Sequence, residues 1–317
     1  MTNESDVSRE TVTGEEPSVM DDLETPLARE LAQENRRRDK LKGRRLPAPA
    51  KTRIITVSNQ KGGVGKTTTT VNLSAALARA GMQVLVVDID PQGNASTALA
   101  IPHNSEVDSV YDVLIDEYPM AEVVKPCPDV DGLVVAPATI DLAGAEIELV
   151  SLVAREQRLS RALDEYFSYR EKEGLPRIDY VFIDCPPSLG LLTVNAFVAA
   201  NEVLIPIQTE YYALEGLSQL LNNIRMIQKH LNSALEVSTI LLTMYDGRTN
   251  LSTQVAEEVR EHFPEEVLNA VIPRNVRISE APSFQQTVLT YDPQSSGALS
   301  YREAATEIAD RGHAKGR

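Results

Sequence analysis

Tryptophan is absent from this 317-residue chain, and Phe and Tyr together leave aromatics at only 5%. Aliphatic side chains must therefore fill whatever core it builds, and the length allows one large domain with a tail. Cysteine is almost as scarce. Cys127 and Cys185 lie far apart in sequence, which excludes a disulfide framework and any cysteine-rich metal site. Cys185 follows an aspartate and has no histidine placed by motif to activate it, so it reads as a small buried residue rather than a nucleophile. No stretch approaches the ~20 apolar residues of a membrane span, and the N-terminus has no signal-type apolar core. Positive charge is also short, with 31 Lys and Arg against 46 Asp and Glu and a net charge of −15.

The charge is unevenly placed. Residues 1–34 carry ten acids and two bases, and residues 35–53 carry nine bases and one acid. The two blocks cancel, so the remainder of the chain holds the whole deficit. Residues 1–50 read as a disordered extension, acidic then basic, with Arg36-Arg37-Arg38-Asp39-Lys40-Leu41-Lys42-Gly43-Arg44-Arg45 at its end. Leu23 to Lys42 has the pattern of a short helix, capped by Asp21 or Asp22. The basic stretch is open to two readings, a supplementary DNA or partner contact and a solvated linker.

Residues 51–317 read as a single α/β domain. Apolar β-branched runs at 54–58, 83–88, 132–136, 179–184, 202–207, 237–243 and 268–272 alternate with helical patterns, the clearest at 67–80, 142–151, 155–168, 190–200 and 213–231. This alternation predicts a doubly wound, mostly parallel sheet flanked by helices. In the last helix Leu214, Leu217, Leu220, Leu221, Ile224 and Ile227 recur at helical spacing, as a core or dimer-interface stripe would.

The chemistry is concentrated in Lys61-Gly62-Gly63-Val64-Gly65-Lys66-Thr67-Thr68, between the run Ile54–Val57 and a helical stretch. A glycine-rich turn from strand to helix gathers backbone N–H groups beside the positive end of the helix dipole, which suits the phosphates of a nucleotide. Lys66 is placed to reach the β- and γ-phosphates, and the Thr67 hydroxyl to ligate Mg²⁺. Lys61 stands where the phosphate-loop pattern normally has glycine. Two further strand runs end in carboxylates: Asp88 and Asp90 in Asp88-Ile89-Asp90-Pro91, and Asp184 in Asp184-Cys185-Pro186-Pro187. Strand ends in such sheets face the ligand crevice.

Lys-Gly-Gly-x-Gly-Lys-Thr-Thr resembles the signature of the ParA/MinD group of P-loop ATPases, the deviant Walker A type. The likeness extends over roughly residues 53–310. Ala138-Thr139-Ile140-Asp141-Leu142-Ala143-Gly144-Ala145-Glu146, Glu210-Tyr211-Tyr212-Ala213-Leu214-Glu215-Gly216-Leu217 and Ile272-Pro273-Arg274-Asn275-Val276-Arg277 are similar to chromosomal ParA (Soj) proteins. The resemblance implies a cytoplasmic, nucleoid-associated ATPase using ATP and Mg²⁺. It implies an ATP-sandwich homodimer in which Lys61 reaches the partner's phosphates, non-specific binding of double-stranded DNA by that dimer, and stimulation of weak hydrolysis by a ParB-type centromere-binding protein. Asp90 then corresponds to the residue that orients the attacking water, Asp184 to the Walker B aspartate, and Asp88 to a position deeper toward the metal. Arg248 and Arg277 align with arginines that contact DNA phosphates, and Pro273 and Asn275 with residues at the adenine.

Competing readings have their own requirements. A membrane-cycling MinD-like ATPase needs a C-terminal amphipathic helix with large apolar residues, whereas Ser300 to Asp310 offers mostly alanine. That excludes stable membrane association. A nitrogenase-iron-protein type of reductase needs paired cysteines near the switch loops, where only Cys185 stands. A scaffold without turnover has no use for Asp90. The extension is too short for a folded winged-helix domain, so operator-specific binding is not expected.

Overall fold

In the computed structural model, the central strands alternate so that each buries both of its faces. Ile55, Val57, Val84, Val86, Tyr180 and Phe182 point into one apolar layer, while Leu85, Val87, Val181 and Ile183 point into the other. Strands apolar on both sides belong in a parallel sheet covered by helices on each face. The strands are β1 Arg53–Val57, β2 Val84–Asp88, β3 Lys125–Pro126, β4 Leu133–Ala136, β5 Tyr180–Asp184, β6 Glu202–Gln208 and β7 Glu236–Thr243. Their order in the sheet is β3-β4-β2-β5-β1-β6-β7, and only β3 runs antiparallel. The doubly wound, mostly parallel fold class is as the sequence predicts.

The structure describes residues 25–211 and 213–316. They divide into two units on either side of the Lys42–Gly43 junction. In the first unit Pro26–Leu41 forms a helix, with Thr25 as N-cap accepting from the Ala28 N–H at 3.2 Å and Pro26 in the first turn. The expected Asp21 or Asp22 cap, and the expected disorder of residues 1–24, lie outside the described residues. The expected domain boundary near residue 50 falls earlier. Leu46 packs against the core, Arg177 donates to the carbonyls of Pro49 and Ala50, and Arg44 pairs with Asp310 at 2.6 Å.

Lys66–Arg79 and Ser296–Ala314 pack together on one face of the sheet, through Leu73, Leu77, Ala304, Ala305 and Ile308 among others. Their small residues let the two helices approach closely. The alanine face of the C-terminal helix is thus core packing. Arg158–Lys172, Leu191–Ala199, Ala213–His230 and Asn250–His262 cover the other face. Leu217, Leu220 and Ile224 are buried there as core, while Leu214, Leu221 and Ile227 of the same stripe are partly exposed and pack against it. Among the described residues no helix is long and apolar enough to cross a membrane.

The run 268–272, expected as a strand, lies beside β7 without a continuous ladder: Leu268 and Ile272 donate to the Ile240 and Leu242 carbonyls, and isolated bridges flank it at Val267 and Pro273. The Glu307 carboxylate takes the N–H groups of Asn269 and Ala270, at 2.9 and 3.0 Å, and so withdraws them from any ladder. β3 was too short to leave a periodic signal.

At the opposite edge of β1, Arg53 forms a forked pair with Glu202, at 2.7 and 2.8 Å, and donates to the Ile308 carbonyl. Both side chains are at most 4% exposed. Removing one partner of such a pair strands a buried charge. Glu202→Ala is therefore expected to lower stability by about 3–5 kcal/mol, read from the denaturant midpoint.

Candidate active site

The carboxyl ends of β1, β2 and β5 converge. In the ladder registers Val57 pairs with Asp184, and Asp184 pairs on its other side with Asp88. The loop leaving β1 carries Gly63 and Gly65 at φ +75° and +88°, a region costly for any residue with a Cβ. Two side chains pin this loop. Asn59 donates to the Pro206 carbonyl and accepts from the Lys61 N–H, while the Thr243 hydroxyl donates to the Val64 carbonyl at 2.9 Å. Gly65 caps the helix Lys66–Arg79 without a side-chain bond, so the first-turn N–H groups face the crevice.

Lys66 is buried and its Nζ rests on the Lys61 carbonyl at 3.3 Å, a weak contact for a cation. Burial pushes its pKa down, opposed by Asp184, Cys185 and Asp90. The Thr67 hydroxyl donates to Asp184 Oδ2 at 2.7 Å, and Thr70, one turn on, donates to Oδ1 at 3.0 Å. Asp184 is fully buried, and its pKa is pushed up to about 8, first by burial and then by Asp88. Both hydrogen bonds to this wholly buried carboxylate come from hydroxyls, and the Lys66 ammonium is close enough to feel its charge. Together the oxygen donors suit a hard divalent cation such as Mg²⁺. Among the described residues no cluster of three His, Cys, Asp or Glu could hold a metal by itself, so the remaining ligands must be phosphate oxygens and water.

This environment sets a pH dependence. Asp184 keeps a proton in the folded, nucleotide-free chain that the unfolded chain releases above about pH 4. Its contribution is complete below that value and is lost as pH rises through about 8, so stability falls across this window. Urea midpoints measured with chelator between about pH 5 and pH 9 should decline. With Mg²⁺ and ADP the decline should flatten, because a cation that replaces the proton favours the carboxylate.

Asp88 Oδ2 accepts from both the N–H and the hydroxyl of Ser96, and Oδ1 from the Asp90 N–H. Its pKa is pushed up to about 6 by burial. It thus organises the 90–96 turn from within. Asp90 is 7% exposed and accepts from the Gln92 N–H at 3.0 Å. Lys61 Nζ pairs with Glu210 of the same subunit at 2.7 Å, both side chains being more than 40% exposed. Cys185 is fully buried and its thiol is pushed well above its usual range, which suits an inert residue.

The remaining expected residues gather beside this loop. A cavity of about 290 Å³ is lined by Gly65, Thr68, Thr243, Pro273, Asn275 and Tyr301 among others. Asn275 is also a helix cap, accepting from the Arg277 N–H and donating to Ser296 Oγ. The bridge between Tyr245 and Pro273 lays the Arg248 and Arg277 segments side by side. Arg248 is bonded to both oxygens of Asp246, and Arg277 to Glu280 and Asp292. The sequence reading missed Thr70, Ser96 and Glu210. Thr70 was detectable from its helical spacing to Thr67. Glu210 lies 149 positions from Lys61 and left no local signal.

Residues 52–237 match a family model described as an AAA domain. The chain is 55% identical over 260 residues to the sporulation initiation inhibitor protein Soj of Bacillus subtilis, covering 82% of this chain and 99% of that protein. It is 48% identical to the chromosome partitioning protein ParA of Caulobacter vibrioides, over 82% of this chain and 94% of that one. Among solved structures, a cobyrinic acid a,c-diamide synthase from Mycobacterium smegmatis with bound ADP and magnesium superposes with a TM-score of 0.70 at 36% identity. That match covers 84% of this chain and 97% of the other. The cell division ATPase MinD of Pyrococcus furiosus superposes with a TM-score of 0.65 at 28% identity, covering 81% and 98%. With its pinned glycine loop, paired lysines and converging carboxylates, the chain belongs to the Soj/ParA family of chromosome-partitioning proteins, within the deviant Walker A P-loop ATPases.

Proposed function

We propose that this protein is a partition ATPase whose ATP-bound homodimer binds double-stranded DNA without sequence preference and lets go after hydrolysis. The observation that carries this reading is the convergence of Lys66, Thr67, Asp90 and Asp184 on one pinned phosphate loop, with Lys61 at its exposed rim. Gly62, Gly63, Val64, Gly65 and Thr68 supply backbone N–H groups and helix dipole to the phosphates. Pro273 and Asn275 border the cavity proposed for the adenine.

Thr67 and Asp184 would hold Mg²⁺, with Asp88 behind them in its outer surroundings. When bound there, the ion screens charge on the β- and γ-phosphate oxygens. Lys66 leaves its weak perch on the Lys61 carbonyl for the phosphates. Asp90 orients the attacking water. Lys61 gives up Glu210 for the partner subunit's phosphates, so hydrolysis waits for dimerisation. An exposed pair of that kind contributes about 0–1 kcal/mol, too little to prevent the exchange.

Arg248 and Arg277 are proposed to contact DNA phosphates, exchanging their carboxylate partners for them. Such contacts carry no base information. On a chain of net charge −15, affinity depends on the dimer's doubling of the cationic contacts and falls steeply with salt. A ParB-type partner is proposed to stimulate hydrolysis and release, and the protein to act in the cytoplasm on the nucleoid.

The test is anisotropy of a random-sequence duplex with ATP, with ADP and without nucleotide. Tighter binding with ATP, and a linear fall of log affinity with log salt, is the expected result. Equal affinity in all three states of a variant lacking residues 1–42 would overturn the nucleotide-switched reading.

A further inference from the structure

The turn that carries Asp90 is closed by its own backbone. The Gly93 N–H donates to the Asp90 carbonyl at 2.9 Å, and the Asp90 carboxylate accepts from the Gln92 N–H. Gly93 then caps the short helix Asn94–Ala98 with φ +61°. Its carbonyl accepts twice from Thr97, from the N–H at 2.9 Å and from the hydroxyl at 3.0 Å. On the other side of that hydroxyl stands His103, whose Nε2 is 2.9 Å from Thr97 Oγ1. A threonine hydroxyl has a single hydrogen. With that hydrogen directed at the Gly93 carbonyl, the oxygen meets the ring with a lone pair. The network therefore assigns the hydrogen to Nε2, which donates to Thr97.

The ring also occupies the space a side chain on Gly93 would need. A Cβ there would lie 2.7 Å from His103 Nδ1 and 3.4 Å from the Ala138 carbonyl oxygen. The imidazole is thus seated against the backbone of the turn, three residues from Asp90. It is half-buried, and its own loop is anchored two residues earlier by Ile101. Ile101 is buried, and its N–H donates to the Ser96 carbonyl at 3.0 Å. Ser96 in turn holds Asp88 with its N–H and hydroxyl. The turn is therefore gripped at two places, by Asp88 and Ser96 from within and by His103 through Thr97 and Gly93 from outside.

We propose that His103 is a positioning residue for ATP hydrolysis, holding the 90–93 turn so that Asp90 keeps its place in the site. The inference rests on the proposed role of Asp90 in orienting the attacking water. A group that orients water acts through geometry alone, and a misplacement of about 1 Å can cost about 10²-fold in rate. His103 touches neither nucleotide-binding residues nor carboxylates through its printed bond, so its effect falls on the placement of Asp90 and leaves ATP binding to the glycine loop, Lys66 and Thr67. A ring that merely filled space would need shape but no donor. The bond to Thr97 needs an N–H at the Nε2 position, and this difference separates the two roles.

The experiment measures kcat and KM for ATP, with Mg²⁺ present, on the full chain and on its His103→Ala, His103→Gln and His103→Asn variants. A glutamine amide reaches the place of Nε2, and an asparagine amide that of Nδ1. His103→Ala and His103→Asn should lower kcat about three- to tenfold, the range set by one neutral hydrogen bond, with KM unchanged. His103→Gln should return kcat to within about twofold of wild type. Wild-type kcat in His103→Ala, equal losses in the Gln and Asn variants, or a rise in KM in place of the fall in kcat overturns the inference. A second arm repeats His103→Ala in the Asp90→Ala background, by single-turnover hydrolysis. No further loss is expected there, because both changes act on one group. An undiminished further loss overturns the route through Asp90. Failure of the parent reading is told apart by Asp90→Ala alone: its hydrolysis at the wild-type rate removes Asp90 from the mechanism, and this inference with it.

Discussion

Lys61→Ala is expected to lower partner-stimulated ATP hydrolysis by roughly 10³–10⁵-fold, the range over which a cation supplied in trans acts on phosphoryl transfer. ATP affinity of the single subunit should change only a few-fold, because Lys66, the glycine loop and Thr67 are untouched. The geometry motivates this separation. Lys66 is buried inside the loop, whereas Lys61 stands at its rim on an exposed pair with Glu210. A residue so placed contributes little to its own subunit's phosphate cradle and is free to be redirected. A mixing experiment isolates the trans role. In a mixed dimer of Lys61→Ala and Asp90→Ala subunits, the Lys61→Ala site keeps its own Asp90 and receives an intact Lys61 from across the interface. Hydrolysis should recover in the mixture. If each variant and the mixture are equally inactive, Lys61 acts within its own subunit and the trans assignment is wrong.

Asp90→Ala should slow hydrolysis by roughly 10²–10⁴-fold, the usual span for a positioned proton acceptor or water-orienting group. ATP-dependent dimerisation and DNA binding should survive. Asp90 accepts only the Gln92 N–H through its side chain, so its removal leaves the turn standing on Asp88 and Ser96. The result is a protein held in the ATP state, seen as a longer-lived dimer on sizing columns and slow release from DNA. Hydrolysis at the wild-type rate would remove Asp90 from the mechanism. Asp88→Asn is the informative contrast. Asp88 holds three donors in a fully buried place, so its change should disturb the 90–96 turn and stability together with turnover.

The relation between sequence and site differs from residue to residue. Gly63, Gly65, Lys66 and Thr67 were legible because phosphate binding by a strand–loop–helix needs those types at fixed local spacing. Asp88, Asp90 and Asp184 were legible as acids ending apolar runs, since parallel strands present their carboxyl ends to the crevice. Glu307 was not legible as the residue that keeps 268–272 from becoming a full strand, and neither was the carboxylate pairing of Arg248 and Arg277. Those are decided by groups brought from elsewhere in the chain or by side-chain rotamers that no periodicity encodes.

By itself, the sequence determined the alternation of strands and helices, the phosphate loop and the aliphatic character of the core, because each rests on spacing within a few residues. Only the tertiary structure decided that Asp184 is buried beside Asp88 with its pKa near 8, that Glu210 holds Lys61, and that Arg53 and Glu202 form a buried pair. Burial and long-range pairing depend on which distant segments the sheet order makes neighbours, β5 between β1 and β2 and β6 beside β1. That order is a property of the packed whole, and it sets the local dielectric and the charge partners on which the chemistry depends.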